Sequence, residues 1–429
     1  MGRVAQIDAA QEPSTVLEEL AQGEGDAAER VFDRSFNLPQ LGDDGRAALL
    51  ALSLFVPSAS RESLAAVAGY GEDEKRVNEA VKNLRALWLI KGIDENSRFT
   101  IEGLTRSLAG ARLSKEAHAD EVRQRFVALF LLYAETHAQP TREDYDALEA
   151  EKDNLLSAID VAFDSEDWES VQRLAYILAD SVDGMLSVRG YWDEALKRGE
   201  QAMGAARKDN NEQRVAVFAA NTANIRVGRG EYGEAEQVYQ ETLAAFRKLG
   251  DDPSAATCLH HLGVLAQEQG KLKEARRLYT ESLEIKKRFS DQSNIAITLY
   301  ELGRLAQKQG EMEEARQLYN ESLEIAERLG DQRGIATTLH ELGRLAQNQG
   351  EVEEARRLYN ESLEIAKRLG DQSGIATTLG QLGRLAAQEG KRTEAVQLFN
   401  EALRIFEKLK SPYAEMARQD LKGLEDESS

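Results

Sequence analysis

Between about Thr257 and Leu409 the apolar positions recur with a fixed long step as well as a helical one. Leu262-Gly263, Leu302-Gly303, Leu342-Gly343 and Leu382-Gly383 are spaced by 303 − 263 = 40 residues. The same step links Ala275, Ala315, Ala355 and Ala395, and also Tyr279, Tyr319, Tyr359 and Phe399. A constant period of this length predicts stacked supersecondary units. Within one unit, Leu299, Leu302, Leu305 and Ala306 form a stripe on a first helix, and Leu318, Tyr319, Leu323 and Ile325 lie on the core stripes of a second. Gly303 and Ala315 are small where two antiparallel helices must cross closely. Gly310 and Gly330 predict left-handed helix ends, and Asp331 predicts the N-cap of the next helix. One such pair cannot bury its apolar face alone, so neighbouring pairs must stack.

Upstream the pattern changes. Residues 1–30 are polar. Residues 31–112 carry a buried-helix run at Arg46–Phe55, a helix from near Ser60 to Ala68, and a third over Asp73–Leu87 with Val77, Val81, Leu84 and Trp88 at helical spacing. Leu89–Ile93 alternates, Asp94–Ser97 forms a turn and Arg98–Ile101 returns, so this segment reads as a small winged-helix domain. Residues 113–210 read as a helical linker with degenerate repeats: Ala117–Ala138, a break at Pro140, Tyr145–Phe163, and two helices within Trp168–Met203. Gly190 and Ala195 keep the register (230 − 190 and 235 − 195 are both 40), while Gly199 stands where the aromatic belongs. Residues 211–410 form the array, beginning with a copy at Gln213–Leu249 that has Ala223, Ala235 and Tyr239 in place. Residues 411–429 predict a capping helix from Tyr413 and an acidic tail.

Composition narrows the function classes. Scarce proline and abundant Ala, Leu, Glu, Lys, Arg and Gln favour an all-α fold. A net charge of −21 speaks against non-specific binding to nucleic acid or anionic lipid. The single cysteine, Cys258, excludes an internal disulfide framework and fits a reducing compartment. No apolar run approaches the roughly 20 residues of a membrane span, and the N-terminus has no signal-peptide core. A cytoplasmic protein is expected.

The order Leu-Gly, Gly310, Ala315, Tyr319, Ser322, Leu323 resembles the tetratricopeptide repeat, whose usual unit is about 34 residues; the longer unit here implies longer helices. The resemblance implies a right-handed superhelix with a groove lined by the first helix of each pair. A second resemblance rests on Phe32-Asp33-Arg34-Ser35-Phe36 leading into Leu49–Phe55, on the hairpin ending Phe99-Thr100-Ile101, and on Glu151-Lys152-Asp153-Asn154-Leu155 before the helical repeats. These look like the winged helix and sensor of signal-transduction NTPases of the STAND class, in their NB-ARC and NLR-like branch. Such proteins carry a P-loop domain, and nothing here matches Gly-x4-Gly-Lys-Ser/Thr: Gly270-Lys271 and Gly390-Lys391 lack the glycine-rich loop and the following hydroxyl. The chain therefore resembles the C-terminal part of such a protein, without its nucleotide-binding domain.

Candidate chemistry is sparse. The histidines, His118, His137, His260, His261 and His340, form no His-x3-His pair, and no nucleophile elbow or Cys/His pair occurs. The second-helix acids Glu313, Glu314 and Glu321 recur with the repeat and read as a solvated face. No catalytic, metal or cofactor site is expected. Lys75, Arg76, Lys82 and Arg85 on the third helix alternate with Glu72, Asp73, Glu74 and Glu79, so DNA is a weaker partner than protein. By the tetratricopeptide resemblance, the groove residues are His260, Val264, Gln267, Tyr300, Arg304, Gln307, His340, Arg344, Gln347 and Arg384, with Gly380 and Ala387 in register. From Thr298 to Ala376, successive copies differ only at 300/340, 308/348, 312/352, 317/357, 327/367 and 333/373. The arginine row is thus open to two readings: a ligand ladder suited to an acidic peptide or protein, or an inherited, solvated row paired with Glu301 and Glu341. The expected function is a sensor whose winged helix relays to an NTPase domain; a free-standing scaffold is the rival, and a DNA-binding regulator the weaker third. With no phosphate-cradling loop in the sequence, calorimetry of the purified chain with ATP is expected to show no binding; micromolar affinity in a contaminant-free sample overturns this.

Overall fold

The computed structural model describes residues 27–92, 98–409, 411 and 413–426. The chain divides into two compact units, Met1–Val238 and Tyr239–Ser429. The fold is all-α, a superhelical repeat array with only one small sheet among the described residues.

In the first unit, α1 (Ala27–Phe36) buries Phe32 and Phe36, whose rings stack 5.9 Å apart. The sequence pattern did not mark this helix, because it shows only one apolar turn. Next come α2 (Gly42–Leu52), β1 (Ala59–Ser60), α3 (Arg61–Ala68) and α4 (Glu74–Ala86). Ser60 caps α3 by accepting from the Ser63 N–H, and Gly69 ends it at φ 79°. Asp73 caps α4. Strands β2 (Lys91–Gly92) and β3 (Arg98–Thr100) are antiparallel, and β1 joins the other edge of β3, placing Ala59 opposite Phe99. The expected turn at Asp94–Ser97 lies outside the described residues. Val77, Val81 and Leu84 are buried as their spacing predicts, but Trp88 is not. The helix stops at Ala86, Trp88 turns left-handed at φ 55°, and its side chain is 63 % exposed.

Helices α5 (Gly103–Leu113) and α6 (Ala119–Thr136) follow; Phe126 and Phe130 of α6 pack edge-on against Phe55 at 5.1 and 5.9 Å. The helix expected over Tyr145–Phe163 is two, α7 (Arg142–Ala150) and α8 (Lys152–Asp164). They meet at Glu151, whose carboxylate is held by Arg98 of β3 and accepts from the Asn154 amide at 2.6 Å. Asn154 is 1 % exposed; its oxygen accepts from the Val56 N–H at 2.6 Å and its amide also donates to the Ser58 carbonyl at 3.0 Å. The Glu151–Asn154 signature therefore ties α8 to the strand-bearing segment, and both polar ends of the buried Asn154 side chain are hydrogen-bonded. After α9 (Trp168–Ala179), the short α10 (Met185–Val188) was not foreseen. The Asp180 side chain accepts from Val182 and Asp183 at 2.9 and 3.0 Å, and a Cβ at Gly184 would lie 2.4 Å from Asp180 N, so only glycine closes the turn. Helices α11 (Trp192–Lys208) and α12 (Glu212–Gly228) complete this unit, and its boundary falls within α13 (Tyr232–Leu249).

The second unit is the regular array: α14 (Asp252–Glu268) with α15 (Leu272–Arg288), α16 (Gln292–Gln309) with α17 (Met312–Leu329), α18 (Gln332–Asn348) with α19 (Val352–Leu369), α20 (Gln372–Gln388) with α21 (Arg392–Lys408), then α22 (Tyr413–Asp426). Asp251, Asp291, Asp331 and Asp371 cap the first helix of each pair, each cap contributing about 1 kcal/mol. Gly310 and Gly330 take left-handed conformations at the helix ends, as predicted. The crossing is fixed by contact: a Cβ on Gly263, Gly303, Gly343 or Gly383 would sit 2.7 Å from the ring of Tyr279, Tyr319, Tyr359 or Phe399. Beside it, the hydroxyls of Ser282, Ser322 and Ser362 donate to the Ala256, Ala296 and Ala336 carbonyls at 2.6, 2.8 and 2.7 Å.

Arginines of the second helices join successive pairs. Arg276 of α15 binds Glu311, donates to Glu314 at 2.8 Å and to Gln309 at 3.1 Å. Arg316 binds Gln349 and Glu351, and Arg356 binds Glu389 and donates to Glu394 at 2.7 Å. Glu314 is thus part of a periodic clamp rather than only a solvated face. At the end of the array, α22 packs on α21 through Ala414 and Ala417, while Leu424 covers Phe399 and Tyr413 lies 5.8 Å from Phe406. Replacing Gly343 with Ala adds about 1 kcal/mol of helix propensity but pushes a methyl group into Tyr359; overpacking of this kind costs about 1–3 kcal/mol. A lower thermal midpoint for G343A is expected, and an unchanged or raised midpoint refutes the contact.

Candidate functional site

The positions read as a groove lie on the first helices of the array, and the structure resolves them into rings, amides and an ion-pair row. The rings turn inward. His260 lies 5.4 Å from Tyr279, Tyr300 lies 5.8 Å from Tyr319, and His340 lies 5.5 Å from Tyr359. His260 and His340 also reach the next pair, with Nδ1 at 3.3 Å from Thr298 Oγ1 and 3.2 Å from Thr378 Oγ1. Gln307 and Gln347 accept from the hydroxyls of Tyr319 and Tyr359 at 3.1 and 2.8 Å. Gln267 is buried and Val264 half-buried. In the last pair the amide and the hydroxyl are lost together, as Ala387 and Phe399.

The arginines are neutralised by this chain's own carboxylates. Arg304 meets Glu301 at 3.1 Å and Arg344 meets Glu341 at 2.9 Å, each one helical turn away. Gln381 occupies the corresponding place before Arg384, which instead meets Asp420 of α22 at 2.9 Å. Glu301 and Glu341 are 14 and 10 % exposed, against 35 and 42 % for Arg304 and Arg344. The carboxylates are therefore buried beneath guanidinium groups that reach solvent. Burial raises the Glu301 and Glu341 carboxyls above the usual range, and the adjacent arginines oppose it.

The sequence reading did not anticipate Lys286, Thr298, Thr378 or Asp420. Lys286 donates to Thr298 at 2.9 Å, and burial lowers its ammonium to about 8. The signal was available in the repeat register: Lys286 stands where Ala326 and Ala366 do, and Asp420 lies 40 residues after Gly380. Nor was the cavity anticipated. It measures about 450 Å³ and lies among α18, α19, α20, α21 and α22, with Gly380 in its wall.

Elsewhere, Cys258 is buried and burial pushes its thiol up to about 12, where a thiolate nucleophile is not formed. Among the described residues no group of three or more His, Cys, Asp or Glu side chains is placed to hold a metal ion, and no helix is long and apolar enough to cross a membrane. On α4, Arg76 pairs with Asp44 at 2.7 Å and Arg85 lies over the Phe99 ring at 5.5 Å.

The tetratricopeptide-repeat family description matches residues 215–288, 294–368 and 334–408, so the array consists of tetratricopeptide repeats. Among solved structures, the chain is similar to a STAND protein with a tetratricopeptide repeat sensor from Pyrococcus horikoshii, at 16% identity and a TM-score of 0.65. That likeness covers 97% of this chain and 61% of the other, so the chain spans less than two thirds of its length. It is similar also to aspartyl phosphate phosphatase F from Bacillus subtilis, at 11% identity, covering 94% and 90% of the two chains with a TM-score of 0.50. No curated protein matches the chain.

Burial lowers His340 and His261 to about 4, with Arg344 and Lys286 respectively adding repulsion, and holds His260 well below its ordinary value. The unfolded chain binds the His261 and His340 protons near pH 6.5, whereas the folded chain does not until about pH 4. Stability contributed by the neutral rings is therefore full above pH 6.5 and is lost as pH falls toward 4, by roughly 1.4 kcal/mol per pH unit for each histidine. The raised Glu301 and Glu341 carboxyls act in the opposite sense toward the lower end. Thermal unfolding is expected to shift down between pH 7 and pH 5, and H340Q to flatten the slope; equal slopes in the two proteins contradict the assignment.

Proposed function

We propose that the chain is a ligand-sensing and protein-interaction module without catalytic chemistry of its own. The repeat face holds a protein or peptide, and the α2–α4 and β1–β3 segment acts as a winged helix that relays occupancy to a STAND nucleotide-hydrolysing domain. The observation that carries the reading is the repeat face: solvent-reaching guanidinium groups beside a cavity of about 450 Å³, on a rigid helical frame. The fold likeness to a STAND sensor protein along nearly the whole chain supports the relay. Pairing of Arg76 with Asp44 and packing of Arg85 on Phe99 favour a protein-facing winged helix over a DNA reader, because these charges are engaged within the domain.

The proposed contacts are His260, Val264, Gln267, Tyr300, Arg304, Gln307, His340, Arg344, Gln347 and Arg384. An acidic segment enters by exchange: its carboxylates take over guanidinium hydrogen bonds now made by Glu301, Glu341 and Asp420. The planar guanidinium suits that exchange because it binds carboxylates in a bidentate manner. Changing Arg304, Arg344 and Arg384 together to Gln, with circular dichroism as the fold control, is expected to reduce recovery of specific partners from native lysate about tenfold or more, the equivalent of roughly 1.4 kcal/mol. The same partners at the same yield overturn the arginine contacts.

A further inference from the structure

The register of the first helices assigns an aromatic ring to one place in each pair: His260, Tyr300, His340. The fourth member is Gly380. In the first three pairs the ring packs 5.4, 5.8 and 5.5 Å from the tyrosine of its own second helix. At Gly380 a Cβ would meet nothing within 4 Å. The neighbouring helix α22 covers this end of the array only in part. Tyr413 and Met416 of α22 line the cavity yet remain 53 and 40 % exposed, and Phe399, which a ring at position 380 would approach, is covered instead by Leu424.

The walls have mixed chemistry. Ala336, Ala366, Leu369 and Phe406 supply apolar surface, and Thr377, Thr378 and Gln381 supply neutral hydrogen-bonding groups. The charged groups nearest Gly380 are paired, Arg344 with Glu341 and Arg384 with Asp420. Apolar walls with neutral hydrogen-bonding groups among them favour a flat occupant with apolar faces and a polar rim.

We infer that the cavity at Gly380 is a binding site for one phenol- or imidazole-sized aromatic ring, supplied by a tyrosine or histidine side chain of a peptide lying on the repeat face. The inference rests on the reading of that face as a ligand face and adds its anchor. The ligand ring takes the open space beside Gly380, the position at which the chain carries its own rings at 260, 300 and 340. The site is formed before the ligand arrives, because α20 and α22 are already joined by Arg384 and Asp420, so little ordering cost opposes binding.

The probe is 4-methylphenol, followed by saturation-transfer NMR on the full chain and on three variants. G380A adds only a methyl group where there is space. G380Y restores a ring of the chain's own, and T377W blocks the lining from a different position. Wild type and G380A are expected to bind with a dissociation constant on the order of 1 mM, a fragment-scale affinity, and G380Y and T377W to lose the signal. The thermal midpoint of G380Y is expected above that of G380A, which separates cavity filling from helix propensity. No binding to wild type, or undiminished binding to a folded G380Y, overturns the assignment.

A second arm compares recovery of a partner by wild type and G380Y, with each partner tested as synthetic peptides with and without its aromatic residues. A tyrosine- or histidine-dependent peptide bound at least tenfold more weakly by G380Y supports the anchor. Equal binding by both proteins overturns the anchor but leaves the ligand-face reading standing. Loss of the phenol signal in G380Y, with no partner recovered by any variant, supports the ring site and refutes the ligand-face reading.

Discussion

A glycine pressed against an aromatic ring sets the geometry on which the array depends. With no Cβ at 263, 303, 343 or 383, the second helix approaches until its ring lies on the first helix's backbone. At that separation Ser282, Ser322 and Ser362 reach across to a carbonyl, and the hydroxyls of Tyr319 and Tyr359 reach a glutamine. A larger residue would part the helices and strand these polar groups, where an unsatisfied buried donor costs about 1–3 kcal/mol. Dispersion and hydrogen bonding thus both favour one small residue per pair, against the chain entropy that glycine costs in a helix.

The legible part of the fold was the part specified by local chemistry. Glycine at a helix end, aspartate at a cap and a small residue at a crossing each act through their immediate neighbours, so Gly310, Asp331 and Gly303 could be placed from the chain alone. Trp88 could not: its spacing continues the stripe of Val77, Val81 and Leu84, but the helix ends before it, and spacing carries no information about where hydrogen bonding stops. Glu151 and Asn154 were visible as a signature but not as a joint, because their partners lie at Val56, Ser58 and Arg98. The break between α7 and α8 follows from that same distant contact. At the candidate site the positions were legible and their states were not. Counting charges along the chain found the arginines, but only packing reveals that Glu341 lies buried beneath them and that Asp420 replaces the missing carboxylate of the last pair.

The electrostatic design follows from this pairing. The chain carries a strong net negative charge, yet its repeat face is locally balanced, with Glu301, Glu341 and Asp420 set against Arg304, Arg344 and Arg384. At physiological ionic strength the field of remote acids is screened beyond about 8 Å, so on the proposed reading of this face recognition is governed by short-range geometry. Selectivity then comes from hydrogen-bond direction and shape, with less long-range attraction to speed encounter.

The clamps of Arg276, Arg316 and Arg356 have a consequence for how such a chain can change length. Each joint uses an arginine from one pair and acids or an amide from the turn of the next, and the donor and acceptor sets recur almost unchanged. A genetic deletion or duplication of one whole 40-residue period brings together ends that already fit. The internal pairs are in effect interchangeable parts. Only the outer ones are bespoke: Lys286 and the paired histidines at one end, Gly380 and Asp420 at the other. Unequal recombination within the gene would therefore lengthen or shorten the frame while carrying the specialised terminal cavity along intact.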